Sequence, residues 1–292
     1  MEPKTLDVLL RGPGAVVLPG VYDALSARIA VRAGAKAIYM TGFGVAGAGF
    51  GVPDIGLVSA SEMSERVGVI AAASDGVPLI ADGDNGHGGP LNAAKLARAY
   101  ERAGAAAIQL EDQVFPKRCG HMEDKEVVSI TEAAQKIRAA ADARDSEAFK
   151  IVARTDARAT HGLDEALRRG EAFLKAGADV LFIEAPRTEE ELREVAETFK
   201  GVPLLANLVE DGKTPLLSAG ELEALGYRIV LYPISALLAV TRRLEEVYKL
   251  LLRGARADLD GQRASFGHYN AIMRLPELLA VTRSLADTNK EE

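Results

Sequence analysis

Cys119 is the only cysteine in the 292-residue chain. It lies in the run K-R-C-G-H, with Lys117 and Arg118 before it and Gly120 and His121 after it. Cations beside a thiol in a polar loop lower its pKa and make it chemically available. The segment is therefore expected to carry a reactive cysteine, nucleophile or acid–base catalyst, rather than a small buried hydrophobe. It falls in a long connection, 113–130, of the kind that commonly forms a lid or binding loop. A second group of residues suits different chemistry. D-G-D-N-G-H-G-G supplies Asp82 and Asp84, and Q-L-E-D supplies Glu111. Asp82 and Asp84 are two apart, so they face the same way if a strand pattern persists. Carboxylates brought together repel unless they are protonated or bound to a cation. With no His or Cys joining them, the oxygen-only set points to a hard ion held partly through water: Mg²⁺, with Mn²⁺ as the alternative.

These residues need elements to bring them together. A phrase recurs as RAGAKAIYM (32–40), RAGAAAIQL (102–110) and KAGADVLFI (175–183), with LGYRIVLYP (225–233) as a looser copy. Each copy reads as a helix with a basic last turn, a glycine just past its end, and a buried strand. Further apolar runs give strands starting near 15, 37, 78, 106, 149, 179, 203 and 228. Amphipathic stretches separate them at 22–33, 61–74, 91–103, 131–145, 164–176, 188–199, 218–225 and 236–253. Strands alternating with helices imply parallel pairing, and eight such units in about 250 residues match an α/β (β/α)8 TIM barrel. A single barrel domain over 1–292 is expected, with 254–292 as a helical extension.

In such a barrel chemistry sits where the strands end. Those ends hold Tyr39, Thr41 and Gly42, then Asp82 and Asp84, Glu111 and Asp112, Arg154 and Asp156, Glu184, and Asn207. G-F-G-V-A-G (42–47) fits a dinucleotide-binding pattern, but that motif must open a helix. Gly49, Gly51 and Pro53 follow it, and the next helix is expected only near Ser61. The stretch reads instead as a mobile glycine-rich loop whose N–H groups could hold a carboxylate.

Composition narrows the partners. A formal charge of −7 disfavours nucleic acid. One cysteine cannot form an internal disulfide, the first residues lack a signal-peptide core, and no apolar run nears the roughly 20 residues of a membrane span. A cytoplasmic protein acting on a small molecule, with no nucleic-acid or membrane partner, is expected.

Taken together, YMTG…GVPDIGL, DGDNGHGG, LEDQVFPKRCGH, ARTDA, IEAP and NLVEDGKTP resemble the isocitrate lyase and phosphoenolpyruvate mutase superfamily over about residues 8–285. The match is nearest its methylisocitrate lyase, dimethylmalate lyase and petal death protein group. The resemblance implies a homotetramer of barrels with a C-terminal helix swapped between subunits. It implies that Asp82, Asp84 and Glu111 hold Mg²⁺, with Asp54 close by. Thr41, Gly42, Phe43 and Arg154 would bind the keto-acid half of a carboxylic acid substrate. Glu184, Asn207 and Pro233 would line the far side, and Lys117, Cys119, Gly120 and His121 would belong to a gating loop. Tyr39 is a candidate for helping to remove a hydroxyl proton. The implied reaction is cleavage of a 2-hydroxy di- or tricarboxylate to pyruvate or glyoxylate plus a carboxylate, with Cys119 as general acid.

Two positions depart from the methylisocitrate lyase pattern. Gln109 stands where those enzymes have His, and Phe43 where they have Gly. Pro233 agrees with the lyases, whereas relatives that hydrolyse oxaloacetate tend to have Ser. The competing readings are an oxaloacetate hydrolase, against which Pro233 argues, and a decarboxylase or phosphonomutase of the same superfamily, against which K-R-C-G-H argues. Outside it stand an NAD-dependent enzyme and a non-catalytic metabolite-binding barrel.

Overall fold

The computed structural model describes residues 5–117 and 125–288. Residues Met1–Leu237 and Leu238–Glu292 form two compact units. The first is built on eight parallel strands: β1 (Val16–Val21), β2 (Ile38–Met40), β3 (Leu79–Asp82), β4 (Ala107–Glu111), β5 (Lys150–Thr155), β6 (Val180–Ile183), β7 (Leu205–Asn207) and β8 (Ile229–Tyr232). Their order is β6-β5-β4-β3-β2-β1-β8-β7, and a parallel bridge from Leu181 to Leu204 brings the two edges together into a barrel. Every strand begins within two residues of the place its apolar run predicts.

The helices are α1 (Leu6–Arg11), α2 (Ala24–Arg32), α3 (Gly42–Gly44), α4 (Ala60–Ala73), α5 (Pro90–Arg102), α6 (Ile130–Ala143), α7 (Ala157–His161), α8 (Leu163–Lys175), α9 (Glu189–Thr198), α10 (Ala219–Leu225), α11 (Ser235–Leu252), α12 (Phe266–Ile272) and α13 (Leu275–Thr288). Local chemistry sets many of their starts. Asp23, Ser59 and Ser218 each accept the backbone N–H three residues on, and Ser26, Glu62 and Glu221 reach back in full capping boxes. The three Ala-Gly-Ala turns place Gly34, Gly104 and Gly177 at φ of 96°, 98° and 102°, where a side chain is disfavoured. α1 was not anticipated from sequence. Its Leu6 and Leu9 join Val16, Ala37, Ala107 and Val152 in the inner core cluster, and Arg228 donates to the carbonyls of Leu9 and Leu10 at 2.8 Å.

The glycine-rich stretch is corrected by the structure. It is not an open loop: α3 follows β2 directly and passes into a π-helical turn, Val45–Phe50, that ends at Gly51 with φ of 67°. Thr41 caps this helix by accepting the Gly44 N–H at 3.3 Å. The missing helix therefore does not discriminate against a dinucleotide site as the sequence argument held.

The connection after β4 leaves and returns as an antiparallel pair, with Gln113 opposite Val127 and the Val114 N–H on the Glu126 carbonyl at 2.9 Å. The second unit contains the rest of α11, a 3-10 turn at Arg256–Leu259, α12 and α13. Within it Arg243 donates to the Gln262 carbonyl and side chain at 3.2 and 3.1 Å. Among the described residues no helix is long and apolar enough to cross a membrane.

Candidate active site

Side chains alternate along a strand, so residues two apart share the inner face of the barrel. That face climbs from apolar to polar. Ile80 leads to Asp82; Ala107 to Gln109 and Glu111; Val152 to Arg154; Val180 to Phe182 and then Glu184; Leu205 to Asn207. The lower members fill the inner core. Most of the upper ones line a cleft, together with Tyr39, Thr41, Phe43, Asp54, Lys117 and Pro233.

Asp82 ends β3, and Asp84 lies past it with φ of 49°. A turn, rather than continued strand geometry, brings Asp84 back beside Asp82, whose Oδ1 accepts the Asp84 N–H at 3.0 Å. Burial, then the neighbouring Asp84 charge, raises Asp82 to about 6. Burial likewise holds Glu111 well above the usual carboxylate range, against the pull of Arg154. Asp54 is also raised, chiefly by burial. His87, from the same D-G-D-N-G-H-G-G turn, stands 3.7 Å from Asp84. The expectation that no histidine approaches the cluster is therefore corrected. Burial lowers the pKa of this imidazole, which favours its neutral form.

Two cations face these acids. The Lys117 ammonium touches Asp54 and lies 2.7 Å from Asp84 Oδ1. Burial works against its charge, but Asp84, Asp54 and Asp82 outweigh that and hold Lys117 well above its ordinary value. Arg154 stacks over Phe182 at 5.1 Å and lies 3.5 Å from Glu111. Its Nε and Nη2 are held in a fork by Asp156 at 2.9 and 3.0 Å.

Behind that fork lies a buried network that the strand-end reading did not resolve. Asp156 also takes Lys125 Nζ at 2.7 Å. Asp112 accepts the Thr155 hydroxyl at 2.6 Å, the Asp156 N–H at 2.9 Å and Arg169 Nη1 at 2.9 Å. Asp112 follows Glu111, so alternation sends it to the outer face, where only the fold reveals its partners. Across the cleft Asn207 Nδ2 donates to the two Glu184 oxygens at 3.4 and 3.3 Å.

Other sequence-chosen residues fall in several places. Tyr39, Thr41, Phe43 and Pro233 line the cleft. The Gly42 N–H donates to Asp82 Oδ2 at 3.2 Å. A Cβ there would stand 2.7 Å from that same oxygen, so Gly42 is required for the close approach of α3 to β3. The Tyr39 phenol donates to Gln109 at 2.6 Å, and burial, then Asp82, raises it well above its ordinary value. Cys119, Gly120 and His121 lie outside the described residues.

The donor set fits a hard divalent cation. All the cleft's acids offer oxygen, and among the lining residues carboxylates outnumber Lys117 and Arg154. Among the described residues Glu111 Oε1 is buried without a hydrogen-bond partner, as a group awaiting a cation or its water would be. Among the described residues no three His, Cys, Asp or Glu side chains are arranged to grip one ion by themselves.

The comparisons with known proteins bear on this site. The phosphoenolpyruvate phosphomutase family model matches residues 6–252. The 2,3-dimethylmalate lyase of Eubacterium barkeri is 46% identical over 272 residues, 93% of each chain. The structure of oxaloacetate acetylhydrolase with 3,3-difluorooxalacetate superposes with a TM-score of 0.92 at 35% identity, covering 97% of both chains. Phosphonopyruvate hydrolase, solved with oxalate and Mg²⁺, gives 0.84 at 32% identity, covering 94% of this chain and 96% of that one. The chain is an enzyme of the phosphoenolpyruvate phosphomutase family, within the phosphoenolpyruvate mutase and isocitrate lyase superfamily.

Proposed function

We propose that the enzyme is a carbon–carbon lyase. Its substrate would be a 2-hydroxy di- or tricarboxylate of the 2-alkylmalate, dimethylmalate or methylisocitrate type, and its products pyruvate or glyoxylate plus a carboxylate. The observation that carries this reading is the pairing of an all-oxygen acid cluster with Lys117 and Arg154 in one cleft, at the point where the chain enters K-R-C-G-H. The 46% identity to a dimethylmalate lyase supports it.

Asp82, Asp84 and Glu111 would hold Mg²⁺ or Mn²⁺ partly through water, with Asp54 behind them. When bound, that cation would polarise the substrate hydroxyl and its neighbouring carboxylate. The residues of the chain do the rest. Arg154, immobilised by Asp156 and Phe182, presents its remaining edge to a carboxylate oxygen, and Thr41 offers its hydroxyl proton. The substrate hydroxyl loses its proton to the acid cluster, and the C–C bond breaks to leave a C=O group. The electron pair departs on the second fragment as a carboxylate-stabilised carbanion. Cys119 gives that carbon a proton, which is general acid catalysis. Phe43 and Pro233 limit the bulk beside the reacting carbons. The test is incubation with Mg²⁺ and a panel of 2-alkylmalates, methylisocitrate, isocitrate, oxaloacetate and a phosphonate substrate, with assay of the keto acid. Release of pyruvate or glyoxylate from an alkylated hydroxy acid is expected. Turnover of oxaloacetate or the phosphonate alone would overturn the lyase reading.

We also propose that the C-terminal unit packs on a further copy of the chain within a homotetramer. Leu244, Tyr248, Leu251 and Leu252 are exposed along α11, and Leu278 and Val281 along α13, large apolar side chains of the kind that mark an interaction surface. Light scattering of the full chain is expected to give four times the 31.0 kDa chain mass.

A further inference from the structure

Gln109 is fully buried on the inner face of β4 and does not line the cleft. Its amide lies between two groups that do. Nε2 is 3.3 Å from Asp82 Oδ1, and Oε1 is 2.6 Å from the Tyr39 hydroxyl. An amide has one donating end and one accepting end. Asp82 is the accepting side, for its two oxygens already take the N–H groups of Gly42 and Asp84. The NH₂ end must therefore face Asp82, which turns the carbonyl end to Tyr39. A carbonyl only accepts, so Tyr39 must spend its single hydroxyl proton on it. What the phenol presents to the cleft is lone pairs alone.

We propose that Gln109 is a specificity-determining positioning residue: it fixes Tyr39 as a hydrogen-bond acceptor, so that the cleft favours a ligand with a hydroxyl at this point over one with a carbonyl oxygen. The inference rests on the reading of the cleft as a hydroxy-acid site, and deepens it by naming the device that separates hydroxy acid from keto acid. A carbonyl oxygen set against the phenol lone pairs would find no proton between them, whereas a hydroxyl finds its acceptor already oriented.

Binding can test this without turnover. Lactate and pyruvate differ at the one oxygen concerned and offer no second carboxylate for cleavage. Their dissociation constants would be measured by titration calorimetry on the full chain with Mg²⁺. Wild type is expected to bind lactate more tightly relative to pyruvate than Tyr39→Phe does, by about three- to tenfold, the scale of one neutral hydrogen bond. Gln109→Met removes the constraint, lets the phenol donate, and should lower the ratio at least as far. Gln109→His, whose imidazole can donate to Asp82 and accept from Tyr39, should keep the wild-type ratio, and it serves also if Gln109→Met does not fold. A Gln109→Met protein with the wild-type ratio overturns the proposal, as does a Gln109→His protein whose ratio falls to that of Tyr39→Phe. If no hydroxy acid is cleaved yet the ratios move as expected, the lyase reading fails and the role of Gln109 stands.

Discussion

Tyr39, as an oriented hydrogen-bond acceptor, and Cys119, as the acid, have separate parts in the proposed reaction, and each assignment has its own test. Burial, then the Asp82 charge, holds the Tyr39 phenol well above its ordinary value. Tyr39→Phe should then lower turnover by about tenfold, as the loss of one oriented hydrogen bond does, and leave the basic limb of the pH–rate profile where it was. A limb that moves in the variant would make Tyr39 a titrating base. For Cys119→Ser the size is kept while the donor becomes a far weaker acid. Cleavage should fall by about 10²–10⁴-fold, with little change in pyruvate affinity, because the keto-acid half meets other residues. Normal turnover in that variant would remove the thiol as the acid. Such residues stand out in a sequence because their type is rare or their spacing unusual. Lys125 and His87 do not, because a lone lysine or histidine says nothing of its partner, and Gln109 stands out only as a departure from the methylisocitrate lyase pattern, which leaves its partners unnamed. Their parts emerge only when β4, the loop's return and the turn after β3 are placed.

At the level of elements, apolar runs and capping chemistry made the barrel legible, since most strands are short buried runs and several helices start at a capping Asp, Ser or Thr. Reading failed where glycine count was taken as irregularity. Five glycines between 42 and 51 suggested a loop, but Thr41 caps a helix there and packing holds it. The repeated Ala-Gly-Ala turn offers a graded test. A Cβ on Gly34 meets nothing within 4 Å, whereas one on Gly177 stands 3.0 Å from the Ala141 methyl. Both have φ near 100°, which a side chain resists. Gly34→Ala should cost about 1–2 kcal/mol from backbone strain alone. Gly177→Ala should cost about 1 kcal/mol or more beyond that, because the neighbour must give way. Urea unfolding midpoints would check the order. Equal losses would show that α6 yields freely at Ala141.

Across the whole barrel, folding draws acids from separate strands to one axis, and the free energy of that gathering depends on which cation meets them. Lys117 does so from the protein's own chain, against Asp54 and Asp84. A divalent cation on the same carboxylates must share or displace that contact, since one oxygen cannot be the near partner of both at full strength. Removing one member of a buried ion pair costs about 3–5 kcal/mol because the other charge is left uncompensated. A ligand that binds only the folded state stabilises it by about 2.7 kcal/mol at a hundred times its dissociation constant. Lys117→Met should thus melt well below wild type in EDTA, and Mg²⁺ or Mn²⁺ should restore much of the difference. The metal-induced rise in Tm should be larger in the variant than in wild type, and its Mn²⁺ affinity, read by electron paramagnetic resonance, should be tighter. Wild type should itself melt higher with metal than in EDTA and lose activity on chelation. The same rise in both proteins would mean that lysine and metal occupy the cluster independently, and no rise in either would remove the metal from this site.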